Sequence, residues 1–264
     1  MDQFYTQPDL AHALACQVSS RWPDPNVLFV EPSAGMGAFV RPLRKQKRQV
    51  RALDLAPRES TIAYGNFLEN HDLFGGTHCA IVVLGNPPFG KNASLAVKFF
   101  NRAAGAAAEI AFIVPRTFRK MSLQKRLERH FHLSCDHDLP DHCFLKQGKP
   151  YNVPCAWQIW TRKAEPRFLP TIPSVAHLIQ YTTAHRADFA MRRVGYYAGR
   201  VITEDISFLS PTTHYFVQAK TKGVIEFLRR TDWSATASQT AGVRSLSKAE
   251  IALKLGRAYR ARFL

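Results

Sequence analysis

The chain has 264 residues, 46% of them hydrophobic, and a formal charge of +16 from 36 Lys and Arg against 20 Asp and Glu. That apolar share supports a packed core and excludes global disorder, and no apolar run approaches the roughly 20 residues a membrane-spanning helix needs. The excess positive charge makes nucleic acid the first partner to consider, because phosphate contacts dominate binding to DNA and RNA; solubility or an acidic protein partner would also suit it.

The polar, acidic N-terminus has no basic head before an apolar stretch, so no signal peptide is expected. Five cysteines, an odd count in no regular framework, predict a reducing, cytoplasmic setting, and the lack of a long apolar run predicts no membrane partner. Leu10 to Ser19 reads as a helix capped by Asp9, with Ala11, Leu14, Ala15 and Val18 on one face. Val27–Val30 is a first strand, followed by a glycine turn and a helix from about Ala38. Val50–Leu53, Thr61–Tyr64, Ile81–Leu84 and Ile110–Val114 give the second to fifth strands, with a helix over Ser94–Gly105. A basic amphipathic helix is expected over Ser122–Phe131, with Leu123, Leu127 and Phe131 on one side. Residues 132–139 and 154–161 complete seven strands, with Pro150-Tyr151-Asn152 in a turn between them.

Strands alternating with helices predict an α/β protein: a Rossmann-like, mostly parallel seven-stranded sheet covered on both faces. Ligands bind such sheets outside the C-terminal strand ends, where the glycine turn, Asp54 and Asn86-Pro87-Pro88-Phe89 all fall. From about Glu165 the alternation fades, and Pro166, Pro170 and Pro173 mark a linker. The expected division is a catalytic domain over 1–164 and a small basic appendage over 165–264. Residues 162–264 hold 17 Lys and Arg against 7 Asp and Glu, so this part is the expected grip on phosphates.

The turn Glu31-Pro32-Ser33-Ala34-Gly35-Met36-Gly37-Ala38-Phe39 lets backbone approach a ligand closely. It lacks the third glycine of a dinucleotide site and the Gly-Lys-Ser/Thr of a phosphate loop. A cofactor without phosphate but with a cationic amino-acid tail suits a turn flanked by carboxylates, and Asp54 is placed to accept ribose hydroxyls. An unrelated tight strand-to-helix turn would read the same way.

Together, E-P-S-A-G-M-G-A-F and N-P-P-F resemble the S-adenosylmethionine-dependent amino-methyltransferase family, and within it the adenine-N6 DNA methyltransferases. Gln3-Phe4-Tyr5-Thr6-Gln7-Pro8 is similar to the Tyr-Thr-Pro segment before the first strand in several members, with an extra Gln7. The resemblance covers about residues 1–161. It implies a methyltransferase fold in which Glu31, Ser33, Gly35 and Gly37 wrap the methionine part of S-adenosyl-L-methionine, Asp54 holds the ribose, and Tyr5, Thr6 and Asn86 lie near the donor. Asn66 stands where the family has an acidic residue facing the cofactor adenine, and Phe67 would pack on that adenine.

Asn86, Pro87, Pro88 and Phe89 carry the expected chemistry. An adenine amine is a poor nucleophile because its lone pair is delocalised into the ring. Two neutral acceptors, the Asn86 side-chain oxygen and the Pro87 carbonyl, would draw the nitrogen towards tetrahedral geometry, and the prolines would hold them in place. Phe89 can stack on the target ring, which a duplex must flip out. N-P-P-F and N-P-P-Y also occur in enzymes methylating guanine N2 in RNA or glutamine in proteins. Adenine in DNA is therefore expected ahead of RNA, with a non-catalytic nucleic-acid-binding module and a protein glutamine methyltransferase as further readings.

Arg116 and Arg119 follow the fifth strand and would meet substrate phosphates or stay solvated. Phe189–Val201 reads as a hairpin with Gly195 near its turn, and Arg192, Arg193 and Tyr196 form a basic, aromatic footprint for nucleic acid. Ser245–Arg262 reads as a basic helix. The spacing of His130, His132, Cys135, His137, His142 and Cys143 matches no zinc pattern, so no metal is expected. Pro154-Cys155 is similar to a cytosine-methylating nucleophile, but Cys155 falls in a late strand and is expected to be buried.

Overall fold

The computed structural model describes residues 4–70, 72–76, 79–240 and 242–263, with side chains as far as Arg257. Gln3 and the side chains beyond Arg257 lie outside the described residues. The chain forms two compact units, Met1–Leu169 and Pro170–Leu264.

In the first unit, strand β1 (Tyr5–Thr6) leads into helix α1 (Pro8–Arg21). The helix starts before the expected Asp9 cap. Proline needs no N–H partner in the first turn, so the chain enters through Pro8 behind Gln7, and Asp9 falls inside that turn. Ala11, Leu14, Ala15 and Val18 are buried as predicted. Strands β2 (Val27–Glu31), β3 (Gln49–Asp54), β4 (Ala63–Tyr64), β5 (Ala80–Gly85) and β6 (Glu109–Pro115) answer to the five strands predicted up to this point. Helices α2 (Val40–Lys45) and α3 (Ser94–Ala104) lie among them.

Strands β7 (Phe131–Asp138), β8 (Phe144–Lys146), β9 (Lys149–Tyr151) and β10 (Cys155–Arg162) follow. The main sheet has seven strands in the order β4-β3-β2-β5-β6-β10-β7. The first five of these are parallel, and β10 runs antiparallel to both of its neighbours. Every residue of β2 and β6 is buried, as continuous apolar strands covered on both faces must be. One face packs Val30, Val83, Ile110 and Phe112 with α3; the other packs Phe29, Leu84 and Ile113 with α1. This is the Rossmann-like α/β architecture expected from the sequence.

Two further local expectations fail in the first unit. The helix over 122–131 shrinks to one turn, α4 (Met121–Gln124). Leu123, Leu127 and Phe131 are still buried, but the backbone that reaches them is satisfied from elsewhere. The Arg167 guanidinium donates to the carbonyls of Leu127 and Phe131 at 3.0 Å each, and also to those of Gln124 and Glu128. Pro150 and Tyr151 are not a turn but part of β9; the turn sits at Gln147 and Gly148, both at positive φ. Strands β8 and β9 join β1 in a separate three-stranded sheet, β1-β8-β9, which the sequence did not suggest.

The second unit holds a sheet of β11 (Ile179–Thr182), β12 (Phe189–Arg192), β13 (Val201–Ile202) and β14 (His214–Ala219), in the order β11-β14-β12-β13, all antiparallel. Helices α5 (Val224–Arg230), α6 (Ser234–Ala237) and α7 (Lys248–Phe263) pack with it around Phe189, Met191, Val217, Leu228, Trp233 and Leu255. The predicted hairpin is present as β12 and β13, joined by residues 193–200. Helix α7 starts later than expected because Ser247 and Glu250 cap it reciprocally. The Ser247 N–H donates to the Glu250 carboxylate at 2.7 Å, and the Glu250 N–H donates to Ser247 Oγ at 3.3 Å. Among the described residues, no helix is long and apolar enough to cross a membrane.

Candidate active site

At the tip of β2 the chain turns through Gly35 and Gly37, at φ +50° and +69°. Both conformations disfavour a side chain, and the space is also taken. A Cβ on Gly35 would lie 2.9 Å from the Tyr5 ring of β1. Asp54, at the tip of β3, fixes this turn: one carboxylate oxygen accepts the Gly35 N–H and the other the Ala56 N–H, both at 2.7 Å. Glu59 was missed in the sequence. Its carboxylate lies against Gly37 and pairs with Arg41, which also donates to the Met36 carbonyl at 2.6 Å. No motif marks it, because it sits in an irregular loop.

Glu31, the last residue of β2, is buried, and its Oε2 has no hydrogen-bond partner among the described residues. A Cβ on Gly85, at φ +140° on the tip of β5, would sit 3.2 Å from the Glu31 Cγ, so glycine there makes room for this side chain. Burial, followed by the nearby charge of Asp54, pushes the Glu31 pKa well above the usual carboxylate range.

Asn86 follows Gly85. Its Nδ2 donates to the Phe4 carbonyl at 3.1 Å, and its own main-chain carbonyl accepts from Ser33 Oγ at 3.1 Å. Among the described residues its Oδ1, shielded from solvent, accepts nothing, and buried Thr6 Oγ1 is likewise without a partner. Pro87 is buried, and Pro88 and Phe89 are half-buried. The loop is braced from behind, where the Phe89 carbonyl accepts the Leu95 and Ala96 N–H groups at 3.0 and 3.2 Å. Glu31, at the end of β2, and Asn86, just past the end of β5, thus each carry an unsatisfied oxygen, as does Thr6 in β1. A buried acceptor without a donor is costly, and each of these suits an N–H or a cation brought by a ligand.

Other predicted residues sit in more committed surroundings. Asn66 Oδ1 accepts the Leu68 N–H at 3.1 Å, and Phe67 is buried with its ring 5.1 Å from Phe99 and 6.0 Å from Phe74. Arg119 forks onto Asp136 at 2.8 Å and reaches Asp138 at 2.6 Å, while Arg116 pairs with Asp138 at 3.1 Å. Both guanidiniums therefore already face carboxylates on β7. Cys155 is buried, and desolvation pushes its thiol pKa up, which removes it as a nucleophile. His130 pairs with Glu128, and His132 contacts the Glu165 carbonyl. Among the described residues no cluster of three metal-binding side chains occurs.

In the second unit, Arg193 lies 5.0 Å over the Tyr215 ring, and Arg192 Nε donates to the Val194 carbonyl at 3.1 Å. Tyr196 is exposed beside Tyr197.

No family model and no curated protein matches the chain. Solved structures do resemble it. One is a Pyrococcus horikoshii protein provisionally named an RNA methyltransferase, at 14% identity and TM-score 0.47 over 61% of this chain and 88% of that one. Another is the methyltransferase subunit of a type I restriction-modification system from Streptococcus thermophilus, at 14% identity and TM-score 0.45. That match spans 97% of this chain and 57% of the other. A third is magnesium protoporphyrin IX methyltransferase from Synechocystis with bound SAM, at 10% identity and TM-score 0.42 over 59% and 79% of the two chains. The chemistry of the site has to be read from its own residues.

Proposed function

We propose that the protein transfers a methyl group from S-adenosyl-L-methionine to the N6 amine of adenine in DNA. The observation that carries this reading is the Asn86 side chain. Its amide NH2 is tied to the Phe4 carbonyl, which leaves the carbonyl oxygen buried, oriented and unpartnered. An acceptor of this kind suits an exocyclic amine, whose lone pair is freed for attack as its hydrogens are bound.

The residues around the glycine turn fit the cofactor. Glu31 offers a buried carboxyl oxygen, Oε2, without a hydrogen-bond partner among the described residues to a cationic tail, and Gly35 and Gly37 keep side chains out of the approach. Asp54 holds the turn and keeps lone pairs for ribose hydroxyls. The Tyr5 ring closes the side of Gly35, with Thr6 next to it in β1, and Ser33 ties the β2 turn to Asn86. When bound, S-adenosyl-L-methionine supplies an electrophilic methyl carbon on a sulfonium. Asn86 and the Pro87 carbonyl orient the amine, and Phe89 steadies the ring. The N6 proton leaves to solvent once methylation has made the amine acidic. The first unit is the catalytic one in this reading, and the basic second unit holds the nucleic acid through Arg192, Arg193 and Tyr196.

The test is incubation with methyl-labelled cofactor and separate DNA and RNA pools, followed by digestion to nucleosides. Label in N6-methyldeoxyadenosine is the expected result. Label in N6-methyladenosine moves the substrate to RNA, and label only in N2-methylguanosine or in protein overturns the adenine assignment.

A further inference from the structure

The second unit presents an aromatic corner on its surface. Tyr196 and Tyr197 are 75% and 58% exposed, although neighbouring residues of the same connection are tied into the fold. Their rings meet at 90° with centroids 5.1 Å apart. Arg244 lies 5.1 Å over the Tyr196 ring, and Arg200 lies 5.9 Å over that of Tyr197.

The connection that carries the pair is held by main-chain hydrogen bonds. The Gly195 N–H donates to the Arg244 carbonyl at 2.9 Å, Gly199 N–H to the Arg192 carbonyl at 2.7 Å, and Leu246 N–H to the Arg193 carbonyl at 2.8 Å. Gly199, at φ +104°, passes so close to Trp233 that a Cβ would lie 2.5 Å from that side chain. Trp233 itself is buried. The tyrosines therefore stand in water on a braced loop, and packing does not account for them. Exposed rings on a rigid support, each with a guanidinium over one face, are suited to stacking a base on a face left open and meeting its phosphates.

We infer that Tyr196 and Tyr197, flanked by Arg200 and Arg244, seat one unpaired nucleotide of a nucleic-acid strand. The perpendicular rings favour a single base in a corner over a run of stacked bases. One ring gives a face, the other a wall, and the arginines give the phosphate contacts. Charge complementarity supports this occupant, because residues 170–264 carry 14 Lys and Arg against 6 Asp and Glu. A base inside a duplex has both faces covered by its neighbours, so the corner selects single-stranded or locally opened substrate. This rests on the reading of the substrate as nucleic acid, but not on methyl transfer.

The experiment uses the full chain without cofactor. A single-stranded oligodeoxynucleotide carrying 2-aminopurine, and the same strand in a duplex, are titrated by anisotropy and by 2-aminopurine emission. Tighter binding of the single strand with quenching of the probe is expected. Y196A/Y197A should weaken that binding roughly 5- to 150-fold and abolish the quench with the salt dependence kept, as loss of one stacked base predicts. R200A/R244A should instead flatten the salt dependence. Thermal unfolding and circular dichroism show whether each variant has kept its fold, and the exposed tyrosines make that the expected result. Equal affinity for duplex and single strand, wild-type binding by Y196A/Y197A, or equal competition by polyglutamate overturns the inference. Methyl transfer by wild type together with unimpaired strand binding by Y196A/Y197A sinks this inference alone. Strand binding through the corner without any methyl transfer sinks the proposed activity alone.

Discussion

The side-chain amide of Asn86 donates to the main-chain carbonyl of Phe4 across 3.1 Å, although 82 positions separate them. That bond decides which end of the amide is free. The nitrogen must face Phe4, so the oxygen faces the strand tips, where it has no donor. The short segment before α1 is thereby a positioning element for the residue on which the proposed chemistry depends.

Asn86→Ala removes the acceptor while leaving the second unit untouched. Methyl transfer should fall by about 10²–10³-fold or more, the usual loss for one preorganised polar contact, with oligonucleotide affinity largely kept. Nucleoside mass spectrometry and anisotropy read the two quantities. Unchanged methylation would rule out Asn86 as the orienting group.

Glu31 makes stability depend on pH in an unusual direction for a carboxylate. Burial, then Asp54, raises its folded-state pKa well above the reference value of 4.5. The folded chain thus holds this proton more tightly than the unfolded chain. That contribution is full below the unfolded value and is lost as pH rises through the folded one. Glu31→Gln should therefore match wild type near pH 4 and melt at higher temperature than wild type as pH rises. The same variant should bind S-adenosyl-L-methionine more weakly, because the cationic tail loses its carboxylate. A melting curve that shows no pH-dependent gap would contradict a Glu31 pKa raised by burial in the folded chain.

Gly35→Ala tests the glycine turn. Its φ of +50° costs an alanine about 1–2 kcal/mol, and the new methyl would press on the Tyr5 ring. Both stability and cofactor affinity should drop. Adding Tyr5→Ala should recover only the steric part, so a double-mutant cycle by urea unfolding should show positive coupling. Strict additivity would mean that the ring moves aside freely.

Arg167 is the support that replaces a helix over 122–131. It is 7% exposed, and its guanidinium serves four carbonyls. Arg167→Met takes the buried donor from the Leu127 and Phe131 carbonyls, at roughly 1–3 kcal/mol for each group that finds no other partner, while the Gln124 and Glu128 carbonyls keep long main-chain bonds from Leu127 and Phe131. A clear fall in the urea midpoint is expected, and Arg167→Lys should restore little of it because an ammonium lacks the fork geometry. A midpoint unchanged in Arg167→Met would show that the carbonyls have other partners.

What could be read from the chain was local. The apolar runs 27–30 and 110–114 became fully covered parallel strands, and 81–84 one covered from Val82 on, because strands buried on both faces need no polar alternation. Turn residues at their ends, Gly35, Gly37 and Asn86-Pro87-Pro88-Phe89, marked the sheet edge because glycine and proline act on their own backbone. Tertiary pairing decided the rest. The charge of Arg116 and Arg119 pointed to phosphates, but Asp136 and Asp138 reach them from β7. Phe4 gained its role through β1 pairing with β8, between segments that share no local pattern. Arg167 ended a helix whose apolar spacing was correct. In each case the partner comes from a distant part of the chain, and a hydrogen bond or ion pair between remote residues leaves no periodic trace in either.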